Sequence, residues 1–194
     1  QRVVIDHELI LPDPKLTINS FYEAYNYFWK VEDNLRMAKS LCRITEIYLH
    51  VAFVSVAVLR YPPEALFKWL EMAEFDVRQK ETAYSKFLTQ IEDLAVECLD
   101  VSIGSLKVFL LLQSYLNMSE LRFLQGRYDA SVSYWLECRN TFFNFFMNGS
   151  QTVLINKTTP GFTAKIMNVF RRMTRLLSVF KANFIDKHLD LIDA

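Results

Sequence analysis

The sequence predicts an all-α protein of six to eight helices packed as antiparallel hairpins, in a helical bundle or a short solenoid. Apolar residues recur at spacings of three and four along most of the 194 residues, as they do on the buried face of a helix. Alternation with a period of two, which is typical of strands, is weak. The chain holds only 4 glycines and 5 prolines, too few for a turn-rich β-sandwich. Its length and its 52% apolar content are enough for one substantial core.

The N-terminus is predicted to be a leader outside the helical domain. Pro12 and Pro14 block a regular helix in residues 1–19, so this segment is expected to be extended. The rest of the chain, residues 20–194, has a length that suits one domain and is predicted to form a single all-α domain.

The first helix is predicted to begin at a capping-box pattern, Ser20-Phe-Tyr-Glu23, whose hydroxyl and carboxylate can each satisfy a free amide. Neither Gly nor Pro follows until Pro62, and one helix of that length would span about 60 Å. Because a compact domain rarely holds such a helix, a break is expected near residues 36–42. Caps and stops then predict helices over residues 64–76, 77–99, 106–125, 128–147 and 160–191, with a turn at Val101–Ser105.

The sequence carries no motif for catalysis or for metal binding. The three histidines lie far apart, and none stands three or four residues from another His or from a Cys, as a metal site on a helix would need. Nucleophile, phosphate-loop and zinc-protease patterns do not occur. The chain is therefore predicted not to be an enzyme and to bind no cofactor and no metal. One alternative stays open, an enzyme with a pocket among the helices lined by a carboxylate or by His50.

The cysteines indicate a reducing compartment. An odd and sparse set does not suit a disulfide framework, so buried free thiols and a cytoplasmic location are expected. Three N-glycosylation patterns, at Asn117, Asn148 and Asn156, argue the other way, but the pattern is short and Asn117 falls within a predicted helix. The cysteines are Cys42, Cys98 and Cys138.

One segment carries a recognisable spacing. A glycine is followed by a tyrosine, a small residue, an aromatic residue and a second small residue, namely Gly126, Tyr128, Ser131, Trp135 and Cys138. This pattern resembles the second half of a tetratricopeptide repeat, which implies helical hairpins and a protein-binding role. Arg122 departs from the family pattern, because an aromatic residue or Leu is usual there. A second copy is suggested 66 or 67 residues upstream by Tyr61, Ala65, Trp69 and Met72.

Two further helical patterns occur in order along the chain, Leu111-Leu112 followed by Ser119-Glu-Leu-Arg-Phe-Leu124, and then Val169–Phe180. Together they resemble the helical subunit of the KICSTOR nutrient-signalling scaffold. This resemblance implies a scaffold subunit of a larger complex.

Charge is distributed unevenly, although the formal net charge is zero and gives no case for nucleic acid. Residues 1–100 carry a net charge of −5 and residues 101–194 a net charge of +5. Most of the excess lies in a predicted amphipathic helix over residues 160–187. Its basic face is interpreted as solvated, or as a binding surface for an acidic partner or an anionic membrane. The acidic first half of the chain can also meet this helix, either within one molecule or across a dimer. The predicted partner-binding cations are Arg171, Arg172, Arg175 and Lys181, with Arg171 and Arg175 projecting opposite an apolar stripe of Phe162, Ile166, Phe170, Met173, Leu177, Phe180 and Phe184.

Aromatic residues are concentrated near residue 143. Core packing is the first interpretation, but a helix that is aromatic on two sides suggests an interface, for which Phe143 and Phe146 are the candidates. Taken together, the patterns predict a non-enzymatic protein–protein interaction module or scaffold subunit that forms a hetero-complex through a helical groove or an exposed aromatic face.

Overall fold

The computed structural model contains six helices in the part of the chain that it describes, and no strand occurs there. The all-α prediction is therefore confirmed. The described residues are 14–53, 71, 78, 80–105, 107–147 and 161–183. The helices are α1 (Pro14–Lys30), α2 (Asn34–Phe53), α3 (Lys80–Ser105), α4 (Val108–Leu124), α5 (Tyr128–Met147) and α6 (Phe162–Asn183).

Helix α1 begins earlier than the sequence predicted. It starts at Pro14, so residues 14–19, assigned to the extended leader, are helical, while residues 1–13 lie outside the described residues. A proline is tolerated in the first turn because its missing N–H has no partner there in any helix. The predicted cap at Ser20 is wrong, since its hydroxyl donates to the Leu16 carbonyl at 2.9 Å inside α1.

The break between α1 and α2 also lies earlier than the predicted range of 36–42. The chain turns over residues 31–33, where Glu32 takes a left-handed conformation with φ of 57°. The Asp33 carboxylate then accepts a hydrogen bond from the Arg36 amide at 2.9 Å, which caps α2. Aspartate is a favoured N-cap residue, so Asp33 was the local signal for this break.

The Asp33 cap supplies a testable prediction. Asp33→Ala is expected to lower the free energy of unfolding by about 1 kcal/mol, because the Arg36 amide loses its acceptor. Asp33→Asn keeps a side-chain oxygen and is the matched control, with a loss of a few tenths. Urea unfolding of both variants measures the difference, and equal losses would show that the charge of Asp33 and not the cap is responsible.

Helix α3 runs through the predicted turn at Val101–Ser105 and ends at Ser105. Buried hydrogen bonds hold this last stretch in the helix, since the Ser102 hydroxyl donates to the Cys98 carbonyl at 2.6 Å and lies 2.8 Å from the Ser114 hydroxyl of α4. Lys107, which directly precedes α4, is extended with φ of −90° and ψ of 93°.

In the hairpin of α4 and α5, α5 has the predicted bounds, whereas α4 begins at Val108 and ends at Leu124, inside the predicted range of 106–125. Gly126 closes the hairpin with φ of 72°, a conformation that glycine adopts without the strain of a side chain. Ser119 and Ser131 exchange hydrogen bonds, each hydroxyl donating to the other residue's carbonyl at 2.8 and 2.7 Å. These small side chains let α4 and α5 pack closely, as the tetratricopeptide pattern requires. Membership of that family stays a prediction, and the suggested upstream copy lies almost wholly outside the described residues.

Helix α4 lies at the centre of the described helices. One apolar cluster packs α1, α2 and α3 against one side of α4, and a second packs α5 and α6 against the other. The three cysteines are buried and unbridged, as predicted. Because α4 is covered on both sides, its polar residues are buried too, among them Asn117 and Glu120.

Candidate functional site

The centre of the fold holds a buried ionic cluster, formed by Glu46, Asn117, Glu120, Arg172 and Arg175. Glu120 of α4 is fully buried and Arg172 of α6 is only 4% exposed. Arg172 donates two hydrogen bonds to the Glu120 carboxylate, from Nε to Oε1 at 3.2 Å and from Nη2 to Oε2 at 2.8 Å. Arg175 Nη2 donates to Glu120 Oε1 at 2.5 Å. Two cations from α6 therefore hold one carboxylate of α4.

The buried ionic cluster extends to α2. Arg172 Nη2 donates to Asn117 Oδ1 at 2.8 Å, and the Asn117 amide donates in turn to the Cys42 carbonyl at 3.2 Å. Arg172 Nη1 lies 3.5 Å from Glu46 Oε1, and Glu46 also accepts a hydrogen bond from the Asn168 amide at 3.2 Å. The cluster thus connects α2, α4 and α6 through groups far apart in the sequence.

The environment keeps both carboxylates of the cluster ionised. Burial by itself would raise the pKa of Glu120, but Arg172 and Arg175 outweigh it and lower this pKa to about 2. Burial likewise opposes ionisation of Glu46, whose pKa is nevertheless lowered by Arg172 and Arg43. Burial would lower the pKa of Arg172, but Glu120 and Glu46 raise it above its usual value. Mutual charge compensation and hydrogen bonding make this a structural centre.

This arrangement corrects the predicted basic face of the last helix. Arg172 is buried and Arg175 is half-buried, both holding Glu120, so neither projects into solvent as a partner-binding cation. Arg171 and Lys181 are exposed as predicted, and Arg171 donates to Asn168 Oδ1 at 3.0 Å. The acidic first half of the chain meets this helix within the molecule, through Glu46.

The apolar stripe of α6 is rotated from its predicted position. Val169, Leu176 and Val179 are buried, although none of them belongs to the predicted stripe. Phe170, which does belong to it, is 53% exposed. Met173 and Phe180 of the predicted stripe are buried as expected. The helical period was therefore right, and the buried face overlaps the predicted stripe but is rotated by about one position.

We call the exposed side of this helix the outer face of α6; it is formed by Met167, Phe170, Arg171, Thr174 and Ser178. The rotation places two large apolar side chains on it, those of Met167 and Phe170. Met167 is 58% exposed beside Phe170. These residues line a groove of about 570 Å³, for which Asn168 and Arg175 form the inner edge. Exposed Met and Phe beside an Arg is the composition that protein interfaces favour.

The two predicted aromatic contacts of α5 differ from each other. Phe143 is exposed, and the Arg139 guanidinium lies 5.8 Å from the centre of its ring. Phe146 instead packs against the rings of Phe142 and Phe162, with centroids 4.6 and 6.4 Å away. Phe143 is thus presented to solvent, whereas Phe146 helps to join α5 to the start of α6.

Glu120 had no role in the sequence-based interpretation. Its signal was that Glu120 and Arg122 are the only charged residues of α4, in which the other polar residues are uncharged. Arg122 is paired as well, with Glu92 of α3, which gives a structural reason for its departure from the tetratricopeptide pattern. A lone charge in a buried helix needs a partner, but the sequence does not show which residue supplies it.

Comparison with protein-family models, with curated proteins and with solved structures gives no match to this chain. None of the helices that the structure describes is long and apolar enough to cross a membrane. Among the same residues, no three His, Cys, Asp or Glu side chains come together as a metal site. The residues and their geometry are therefore the basis for any functional proposal.

Proposed function

We propose that this chain is a non-enzymatic protein–protein interaction module, a scaffold subunit of a hetero-complex, and that its partner binds the outer face of α6. The observation that carries the proposal is the exposure of Met167 and Phe170 side by side over a groove of about 570 Å³. Burial of two such side chains by a partner supplies several kcal/mol, at about 25 cal/mol per Å² of apolar surface. Arg171 at the same groove adds a cation at the rim.

The buried ionic cluster supports this proposal, because it holds the outer face of α6 in place. Arg172 and Arg175 point inward from the same helical turns that carry Phe170 and Arg171 outward. A helix fixed in this way loses little conformational freedom when a partner binds, which favours affinity. A scaffold role agrees with both resemblances, and the buried free thiols favour a cytoplasmic location.

The rival functions are less well supported. An anionic membrane surface would have used four cations of the last helix, but Arg172 and Arg175 are engaged with Glu120. An enzyme using His50 would need that side chain in a pocket; instead its Nδ1 lies 3.1 Å from Arg175 Nη1, at the edge of the buried ionic cluster.

The test compares two matched variants in affinity capture from a cell lysate, followed by reconstitution with the captured protein. Phe170→Asp on the outer face of α6 is expected to weaken the complex at least tenfold, because a carboxylate replaces an apolar contact. Ile103→Asp on α3 is the control, since Ile103 is exposed to a similar extent and lies on another helix. Both substitutions are at exposed sites and should leave thermal stability nearly unchanged.

Retention of the same partner by Phe170→Asp would contradict the proposed face. Salt-sensitive binding of the unmodified chain to phosphatidylserine-rich vesicles, lost in Arg171→Glu, would instead favour the membrane function.

A further inference from the structure

A second cavity lies apart from the outer face of α6, where α1, α2 and α4 meet the start of α6. Its volume is about 300 Å³, at the lower end of the range for small-molecule sites. Four cations line it and none of its described lining residues is acidic. We call this the basic pocket; its cations are Arg36, Lys39 and Arg43, which share one face of α2, and Lys165 of α6.

The charges of the basic pocket are only partly compensated. Arg36 lies 3.5 Å from the Asp33 carboxylate, and Arg43 contacts Glu46. Lys39 and Lys165 are exposed and form no ion pair with any residue that the structure describes. The pocket therefore has an excess of at least two positive charges, since Glu46 is shared between Arg43 and Arg172. A phosphate monoester carries a charge of about −1.5 to −2 at neutral pH and matches this excess, whereas a single carboxylate supplies half of it.

The start of α4 lies at the same pocket. Its N-cap residue, Lys107, gives the helix no side-chain cap, and Phe109 and Leu110 of its first turn line the pocket. The N-terminal amides of a helix carry partial positive charge and favour a bound anion. Gln113, one turn further along, is half-buried in the lining and its amide forms no hydrogen bond with any described residue.

The remaining lining is aromatic. Phe21 and Phe28 stand seven residues apart on α1 and line the pocket together with Phe109 of α4. The Arg36 guanidinium lies 5.7 Å from the centre of the Phe28 ring, which places positive charge directly beside an apolar surface. A ligand that contacts both the cations and the aromatic rings of the basic pocket carries its phosphate close to a flat apolar ring.

We propose that the basic pocket binds a small phosphate monoester carried by an aromatic ring system, of about the size of a nucleoside monophosphate. Lys39, Lys165 and the amide of Gln113 hold the phosphate. The three phenylalanines receive the ring. This site is independent of the proposed partner surface, since the two share no lining residue.

Isothermal titration of the full chain with adenosine 5′-monophosphate, inorganic phosphate and adenosine tests the site at low ionic strength. The monophosphate is expected to bind at least tenfold more tightly than either fragment, because only it engages both parts of the pocket. Lys39→Gln/Lys165→Gln is expected to weaken its binding by about tenfold or more. Lys86→Gln, at an exposed lysine of α3, is the control and should leave binding unchanged.

Phe28→Leu tests the aromatic lining separately from the cations. It should reduce the affinity for the monophosphate towards that for inorganic phosphate. Absence of monophosphate binding, or binding unaffected by the double lysine variant, would overturn the proposal. Equal affinity for inorganic phosphate would overturn the aromatic part of it. Tighter binding of a phosphotyrosine peptide, or of vesicles containing phosphatidylinositol 4-phosphate, with the same lysine dependence would assign the pocket to a macromolecule or a membrane instead.

Discussion

Glu120→Gln is expected to lower the free energy of unfolding by about 3–5 kcal/mol and the melting temperature by roughly 10 °C or more. The substitution conserves shape but leaves Arg172, which is 4% exposed, without the carboxylate that it grips through two hydrogen bonds. A buried charge without its partner is among the most costly single changes in a folded protein. Denaturant unfolding followed by circular dichroism measures the loss.

Two further variants show whether burial is the cause. Glu92→Gln makes the same chemical change in the partly exposed pair with Arg122, and it should lower stability by no more than about 1 kcal/mol. Glu120→Gln/Arg172→Gln removes both charges, and we expect it to be more stable than the sum of the two single losses predicts. Additive losses would mean that the two groups are not coupled.

The pH dependence of stability follows from the same carboxylate. Its pKa of about 2 in the folded chain lies below its ordinary value of 4.5. The unfolded chain therefore takes up the proton first as the pH falls, and the contribution is complete above about pH 5 and is lost progressively towards pH 2. It amounts to roughly 3 kcal/mol. Stability should fall less steeply with acid in Glu120→Gln; an identical slope would contradict the assignment.

Trp135→Ala is expected to cost about 3–5 kcal/mol, the second of the two largest effects. The Trp135 ring fills the space between α5 and α6, where it meets the Phe180 ring edge-on at a centroid distance of 6.3 Å. Its indole N–H donates to the Met173 carbonyl at 3.1 Å. Alanine leaves a cavity there and removes this hydrogen bond between the two helices.

Two controls divide the contributions of Trp135. Trp135→Phe keeps an aromatic ring but no donor, and should cost about half as much or less. Trp29→Ala deletes the same side chain at a site that is 64% exposed, and should change stability by about 0.5 kcal/mol or less. Comparable losses in Trp29→Ala and Trp135→Ala would mean that packing between α5 and α6 does not stabilise the fold.

Local signals were enough where a structural feature depends on neighbouring residues alone. Gly126 closes the hairpin of α4 and α5 because a left-handed residue is needed there, and α5 has the predicted bounds. Asp33 is a signal of the same kind, but the break was sought near residues 36–42 on the basis of helix length. The thiols were predicted as buried because cysteine behaves as a small apolar residue.

The arginines of α6 show where local signals are insufficient. Adjacent residues of a helix point about 100° apart, so a shift of the buried face by one position exchanges an inward residue for an outward one. The apolar residues of α6 permit two such faces, one through Phe170 and one through Val169. The choice depends on Glu120, which lies 52 residues before Arg172 and has to be paired once α4 is buried.

The sequence by itself determined the fold class, the hairpin of α4 and α5, and the burial of the cysteines as free thiols. Periodicity, turn chemistry and composition act over a few residues, which is why they were sufficient here. Only the tertiary structure decided which cations are internal and which surfaces are available. Arg172 and Arg175 became part of the core because a fully buried carboxylate needs them, while Phe170 became exposed on the same helix. The basic pocket likewise combines α2 with the start of α6, about 120 residues later in the sequence. Charge compensation across packed helices is a property of the assembled fold.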